Sequence, residues 1–117
     1  MNILYLEDEP NEASLVERYV SVTPHHLTLV ASLQEARGAL DADFDLILAD
    51  LRIGDARQGY EFIREIRSKG YGMTIIAVTG LNFPQDLEKC FEAGCNDVLV
   101  KPYTIRQLDA IIKKYTV

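Results

Sequence analysis

The chain has 117 residues, a length typical of one domain, and its 48% hydrophobic and 26% charged content is that of an ordinary soluble globular protein. Its net charge of −6 argues against a nucleic-acid-binding surface, which would need clustered lysine and arginine. No apolar run approaches the roughly 18 residues that cross a bilayer, and no signal-peptide pattern opens the sequence, so we expect a cytoplasmic protein without a membrane segment.

Five predicted strands alternate with five predicted helices. The strands are short apolar runs bounded by turn residues, at residues 2–6, 27–31, 45–49, 73–78 and 97–100. Pro10 and Pro84 suit the first turn of a helix, and Ser32 and Thr104 are expected N-caps. The residues predicted to face the core are Ala13, Val16, Tyr19 and Val20; Leu33, Ala36, Ala39 and Leu40; Tyr60, Ile63 and Ile66; Leu87, Cys90 and Phe91; and Ile105, Leu108, Ile111 and Ile112. This alternation predicts a single α/β domain, a (βα)5 doubly wound parallel sheet with right-handed crossovers and helices on both faces.

The polar residues that follow the predicted strands are expected to meet at one edge of the sheet. They are Glu7 and Asp8 after the first strand, Asp50 after the third, Thr79 with Gly80 after the fourth, and Lys101 after the fifth. Ligands of open α/β sheets bind at the carboxyl ends of the strands, which is where these residues would gather.

Three carboxylates packed together repel one another unless a cation intervenes, and one lysine cannot neutralise all three. Hard oxygen ligands suit Mg²⁺, which completes its coordination with water and phosphate oxygens. Asp50 can then act as a nucleophile toward phosphorus, Lys101 as a fixed cation, and the Thr79 hydroxyl as a donor together with the Gly80 N–H. The acids near residue 8 could instead only favour the start of the first helix, which Pro10 opens.

At this point the sequence resembles the receiver domains of two-component response regulators over essentially its whole length. The matching segments are Leu-Glu-Asp-Glu-Pro at residues 6–10, the strand-terminal Asp50, Val-Thr-Gly at residues 78–80 and Val-Lys-Pro-Tyr at residues 100–103. The resemblance implies one receiver domain at residues 1–117 with the flavodoxin-like strand order 2-1-3-4-5.

The resemblance also implies a function for these residues. Asp50 would accept a phosphoryl group from the phosphohistidine of a histidine kinase or histidine phosphotransfer protein, and the modified domain would bind an effector that the sequence does not identify. Asp8, Asp50 and the backbone carbonyl of Arg52 would ligate Mg²⁺, and Glu7 would act through a metal-bound water. Thr79 and Lys101 would contact the phosphoryl oxygens. The Lys101–Pro102 peptide is expected to be cis.

Three positions depart from the family pattern. Val98 stands where many members carry an aromatic residue that turns inward on activation. Arg52 and Leu81 stand where other members tune the lifetime of the aspartyl phosphate, and neither can readily orient an attacking water, so we predict slow autodephosphorylation. The loop at residues 53–59 is more charged than usual, and we expect it to be more flexible.

Other functions compatible with this fold class are a Mg²⁺-dependent phosphatase with an aspartyl nucleophile, a flavin-binding module and a degenerate receiver that acts only in protein interaction. The phosphatase would need an acid where Arg52 stands, and the flavin module would need a phosphate-binding loop where Glu7 and Asp8 stand. We therefore expect no enzymatic activity beyond the phosphorylation and dephosphorylation of Asp50 itself.

Overall fold

The computed structural model describes residues 1–52, 56–80 and 84–116, except for the side chain of Ala56. The strands, β1 to β5 in chain order, cover Asn2–Leu6, His26–Val30, Leu46–Asp50, Thr74–Thr79 and Asp97–Val100. The helices, α1 to α5, cover Pro10–Ser21, Leu33–Ala39, Ala56–Ser68, Pro84–Ala93 and Ile105–Lys114. Among these helices none has the length and apolar composition that crossing a bilayer requires.

All five strands are parallel and lie in the order β2-β1-β3-β4-β5. The predicted (βα)5 doubly wound sheet of the flavodoxin-like class is therefore confirmed. The chain moves outward in opposite directions from β1 and β3, and this reversal of strand order opens a crevice between their carboxyl ends. The residues that follow β1 and end β3 flank that crevice.

Two buried apolar clusters lie on opposite faces of the sheet. The first core packs β-strand residues such as Ile47 and Ala49 against α2, α3 and α4. The second core packs their neighbours Leu46 and Leu48 against α1 and α5. Successive side chains of a strand point to opposite faces, so a strand buried on both faces must be apolar throughout. This requirement explains the continuous apolar runs in the sequence.

The predicted helix caps are confirmed. The hydroxyl of Ser32 accepts a hydrogen bond from the N–H of Glu35 at the start of α2. Thr104 and Gln107 form a reciprocal capping box at the start of α5. These side chains bind N–H groups that have no partner within the helix, which fixes where each helix begins.

Three strands are each shifted by one residue from the prediction. β2 begins at His26, which pairs with Asn2, and ends at Val30. β3 and β4 each begin and end one residue later than predicted, and at their ends Asp50 pairs with Val78 and Thr79 pairs with Val100. Asp50 and Thr79 are therefore the last residues of their strands, which holds their backbones in the sheet.

Two residues predicted to face the core are exposed. Phe91 of α4 is 50% exposed, because the buried face of that helix runs through Cys90 and Ala93 and Phe91 points away from it. Ile105 is 47% exposed because it opens α5 one turn before Leu108, the first residue of that helix in the second core. Both predictions of burial are wrong.

Arg67 at the end of α3 binds backbone and side-chain groups from two other segments. Its guanidinium donates to the carbonyl oxygens of Tyr71, Met73 and Gly94 at 2.8–3.0 Å, and to Oδ1 of Asn96 at 2.8 Å. These bonds connect α3 to the chain entering β4 and to the turn between α4 and β5. Arg67 therefore satisfies carbonyl groups at the end of the sheet opposite the crevice.

Candidate functional site

The side chains predicted to gather at the carboxyl edge of the sheet lie together there. Glu7 and Asp8 follow β1 and Asp50 ends β3, and one oxygen of each carboxylate lies within 4.8 Å of the others. Glu7 and Asp50 are buried, whereas Asp8 is exposed. The cluster is thus a buried pair of acids with a third acid on its solvent side.

Asp50 is held at both carboxylate oxygens. Its Oδ1 accepts a hydrogen bond from the backbone N–H of Arg52 at 2.9 Å, and its Oδ2 accepts one from Nζ of Lys101 at 2.8 Å. The side chain is only 1% exposed. Because an ionised carboxylate needs such partners when buried, these two bonds explain how an acid can end an otherwise apolar strand.

Lys101 is shared among three carboxylates. Its Nζ lies 2.8 Å from Asp50, 2.8 Å from Glu12 and 3.3 Å from Glu7. Burial lowers the pKa of this ammonium, but the hydrogen bonds to Asp50 and Glu12 outweigh it and the pKa is raised. Lys101 therefore remains a cation at the site.

The carboxyl group of Glu7 is buried beside a second acid. Burial is the main cause that raises its pKa to about 8, followed by the hydrogen bond and the charge of Asp50, while Lys101 opposes the shift. At neutral pH this carboxyl group therefore favours its protonated form unless a further cation approaches. Carboxylate oxygens that converge in this way fit Mg²⁺, which accepts hard oxygen ligands.

Thr79 and Gly80 complete the edge on the β4 side. Thr79 is fully buried, and its backbone carbonyl accepts a hydrogen bond from the N–H of Lys101 at 2.8 Å. Gly80 follows it and is exposed. This backbone bond fixes the ends of β4 and β5 relative to each other, so Thr79 and Lys101 border the same crevice.

Glu12 is a site residue that the sequence analysis missed. It lies in the first turn of α1, and its carboxylate binds Nζ of Lys101 at 2.8 Å and Nη2 of Arg52 at 3.0 Å. Side chains of a helix lean toward its N-terminus, and α1 begins at the sheet edge, which brings Glu12 into the site. Its position in the first turn after the acidic segment was the signal that could have identified it.

An open cavity of about 380 Å³ adjoins this cluster, and its lining includes Glu12, Arg52, Gly80 and Lys101. Asn11 and Leu15 of α1 and Pro102 and Tyr103 after β5 complete the lining. The cavity is large enough for a small phosphorylated group. Its walls carry both cations of the site, so an anion that entered would meet them.

Val98 and Tyr103 are the two positions relevant to a switch. Val98 is partly buried against the first core, and its register partner in β4 is Ala77. Tyr103 packs against the second core beside Tyr5, whose hydroxyl lies 3.5 Å from Glu7. Among the described residues, the aromatic side chain that lines the cavity beside the site is Tyr103, which follows Lys101.

The remaining predictions about the site concern the Lys101–Pro102 peptide, the loop after Asp50, Leu81 and the carbonyl of Arg52. The Lys101–Pro102 peptide is cis, as expected. Leu81 and residues 53–55 lie outside the described residues. Residues 56–59, predicted as part of the charged loop, instead form the first turn of α3, so that part of the prediction is wrong. The role of the Arg52 carbonyl as a metal ligand stays a prediction, since the contacts of Arg52 in the structure involve its N–H and its guanidinium.

The sequence model of the response regulator receiver domain family matches residues 3–113. The chain is 35% identical over 75 residues to the probable transcriptional regulatory protein SilR of Salmonella typhimurium, covering 64% of the chain and 32% of SilR. It is 29% identical over 114 residues to the transcriptional regulatory protein CusR of Escherichia coli K12, covering 97% of the chain and 50% of CusR. The chain thus spans a third to a half of these curated relatives.

Among solved structures, the chain is similar to the receiver domain of the sensor histidine kinase PA1611 from Pseudomonas aeruginosa PAO1. The two are 35% identical with a TM-score of 0.83, and the match covers 97% of this chain and 95% of that one. The PA1611 structure contains a magnesium ion coordinated in the active site cleft. The acidic cluster described above fits the same ion.

Proposed function

Because the chain belongs to the response regulator receiver family, we propose that it is a two-component phosphorylation switch in which Asp50 is the phosphoacceptor. The observation that carries this proposal is the position of Asp50. It ends the central strand, is bonded to Lys101 at 2.8 Å, and lies beside two further carboxylates. A histidine kinase or histidine phosphotransfer protein is the proposed donor.

The proposed reaction is a displacement at phosphorus. A carboxylate oxygen of Asp50 forms a bond to phosphorus while the bond between phosphorus and the histidine nitrogen breaks. The electron pair of the broken bond stays on the leaving imidazole nitrogen. Lys101 binds oxygens of the transferring group, and the Thr79 hydroxyl and the Gly80 N–H are the proposed donors to the others. The Lys101 ammonium already lies where that charge develops.

Mg²⁺ is the proposed cofactor. Asp8, Asp50 and the carbonyl of Arg52 would hold it directly, and Glu7 would hold it through a water. When bound, the cation neutralises charge on the acids and on the phosphoryl oxygens. The convergence of the Glu7, Asp8 and Asp50 carboxylates, with one oxygen of each within 4.8 Å of the others, supports this assignment.

The proposed output is a change in the binding of an effector at the face formed by α4, β5 and α5. Phe91 of α4 and Ile105 of α5 expose large apolar side chains, which supports a protein-binding role for this face. SilR and CusR are named as transcriptional regulators and PA1611 as a sensor histidine kinase. Receiver domains therefore occur in both classes of protein, and these names do not identify the effector of this chain. The extent of the domain over residues 1–117 and a cytoplasmic location stay predictions.

A phosphatase that uses Asp50 as its nucleophile is not favoured. Such an enzyme needs an acid two residues after the nucleophile, and Arg52 stands there, paired through its guanidinium with Glu12. A degenerate receiver is not favoured either, because the described residues retain the acidic cluster and Lys101 in contact.

The test is incubation of the protein with Mg²⁺ and acetyl phosphate, followed by mass spectrometry. We expect a gain of one phosphoryl group that is lost in Asp50→Asn and when the metal is chelated. Asp43→Asn is the matched control, because Asp43 is exposed near the opposite edge of the sheet. Retention of the label in Asp50→Asn would contradict the assignment, and turnover of many equivalents of a phosphate monoester would favour the phosphatase.

A further inference from the structure

Glu12 brings a fourth carboxylate to the site and contacts both of its cations. Its Oε2 lies 2.8 Å from Nζ of Lys101, and its Oε1 lies 3.0 Å from Nη2 of Arg52. Nη2 of Arg52 also lies 3.2 Å from the second oxygen of Glu12. One carboxylate thus holds the side chains of two cations at the wall of the cavity beside Asp50.

A phosphoryl group on Asp50 would compete with Glu12 for these cations. It carries close to two negative charges and three acceptor oxygens. Lys101 is already bonded to Asp50, and Arg52 donates its backbone N–H to the same side chain. Both residues therefore contact the side chain that would be modified, Lys101 through its ammonium and Arg52 through its backbone. The charge of Asp50 is also the largest cause that raises the pKa of Arg52, which places the guanidinium within its field.

We propose, on the basis of phosphoryl transfer to Asp50, that Glu12 is a positioning residue and that Arg52 is an additional phosphoryl-binding residue. In the unmodified protein Glu12 holds Arg52 and shares Lys101. When the phosphoryl group forms, Arg52 and Lys101 exchange Glu12 for phosphoryl oxygens. The negative charge of Glu12 therefore opposes modification of Asp50.

The chemistry of the two partners favours this exchange. The Arg52 side chain is 61% exposed and that of Glu12 is 35% exposed, and ion pairs with this much solvent contact are weak. Guanidinium groups bind carboxylates and phosphates alike through parallel N–H bonds, but a phosphoryl group carries close to two negative charges, which makes it the stronger partner. A doubly charged group can therefore displace Glu12.

The test uses beryllofluoride, a phosphoryl mimic, titrated calorimetrically into the protein at saturating Mg²⁺. We expect Glu12→Gln to bind beryllofluoride about tenfold more tightly than the protein with Glu12, which is the effect of removing one partly screened charge. Glu12→Ala, which also removes the charge, gives a second measurement if the glutamine variant folds poorly. Glu17→Gln is the matched control, because Glu17 is an exposed acid further along α1, and we expect no change in affinity.

A double-mutant cycle identifies the role of Arg52. We expect Arg52→Gln to weaken beryllofluoride binding more in the Glu12→Gln background than in the original sequence, since Glu12 no longer holds the guanidinium back. Urea unfolding of each variant separates this effect from a loss of stability. An equal effect of Arg52→Gln in both backgrounds would overturn the proposal.

Two further outcomes would also overturn it. These are an unchanged or weaker affinity in both Glu12 variants, and an equal gain in Glu17→Gln, which would show a response to net charge alone. Failure of the underlying function gives a different result. In that case the original sequence itself would neither bind beryllofluoride with Mg²⁺ nor gain a phosphoryl group from acetyl phosphate.

Discussion

Arg67 and Asn96 are joined by a 2.8 Å hydrogen bond between a guanidinium and an amide oxygen, and that same oxygen accepts the N–H of Ile75. The pair connects α3 to the residue that precedes β5 and to the backbone near the start of β4. The Arg67 side chain thereby holds together the segments where β4 and β5 begin. Thr79 and Lys101 lie at the other ends of these strands. The stability of this connection can be measured directly.

Replacement of Arg67 is expected to destabilise the protein. Arg67→Met removes four hydrogen bonds and leaves the partly buried carbonyls of Tyr71, Met73 and Gly94 without their donor, at an expected cost of about 2–4 kcal/mol in the free energy of unfolding. Urea denaturation measures it. Arg64→Met, an exposed change on the same helix, should stay within about 0.5 kcal/mol, and equal effects would refute the role of Arg67.

Gly94 is expected to tolerate no side chain. Its φ of +123° disfavours other residues, and a Cβ there would lie 2.6 Å from Cγ of Arg67. We expect Gly94→Ala to cost about 1–3 kcal/mol in thermal or urea unfolding. Gly38→Ala is the opposite case, because a Cβ on Gly38 within α2 meets nothing within 4 Å, and it should stabilise by up to about 1 kcal/mol. If both substitutions stabilised the protein, or both destabilised it, the structure would be contradicted.

The stability of the metal-free protein is expected to fall as the pH rises toward 8. Burial and the neighbouring Asp50 raise the pKa of Glu7 from its ordinary 4.5 to about 8, so the folded state binds this proton more tightly than the unfolded state. The stabilisation is complete below pH 4.5 and is lost as the pH rises through about 8. We expect a loss of about 1–3 kcal/mol across this window relative to Glu7→Gln.

Urea unfolding at several pH values in the presence of a chelator measures this effect. Saturating Mg²⁺ should remove the loss, because the cation replaces the proton at the acidic cluster. If the free energies of unfolding of the original protein and of Glu7→Gln changed in parallel with pH, the raised pKa of Glu7 would be excluded.

The aspartyl phosphate is expected to be long-lived. Arg52 carries no carboxylate or amide that could orient an attacking water. Arg52→Asn supplies an amide at this position and should shorten the half-life roughly tenfold, a modest share of what a positioned polar group can contribute. Loss of the phosphoryl mass over time measures this rate. Arg57→Asn on α3 is the control, and a half-life of seconds in the original sequence would refute the prediction.

The elements of the fold and the six residues expected at the carboxyl edge of the sheet could be predicted because their signals are local or topological. Ser32 and Thr104 identify helix starts within a few residues of themselves. Asp50 and Thr79 end apolar runs, and in a parallel sheet the ends of neighbouring strands meet whatever the details of packing. The family pattern then supplied the expected roles.

The partners of long charged side chains could not be predicted in this way. Glu12 meets Lys101 across 89 positions and Arg67 meets Asn96 across 29, and such contacts depend on how far each helix stands from the sheet. The predictions that Phe91 and Ile105 are buried were wrong for a related reason. Apolar spacing identifies an amphipathic helix, but the packing of the whole domain decides which residues at its margins are covered.

The division of the interior into two cores has a consequence for how a signal could travel. Cys90 of α4 belongs to the first core and Leu108 of α5 to the second, and the sheet lies between these two cores. Neighbouring residues of β5 reach both compartments, Val98 on one side and Leu99 on the other. β5 contacts both α4 and α5, so a shift of this strand at the end that precedes Lys101 would reach one helix on each face of the sheet.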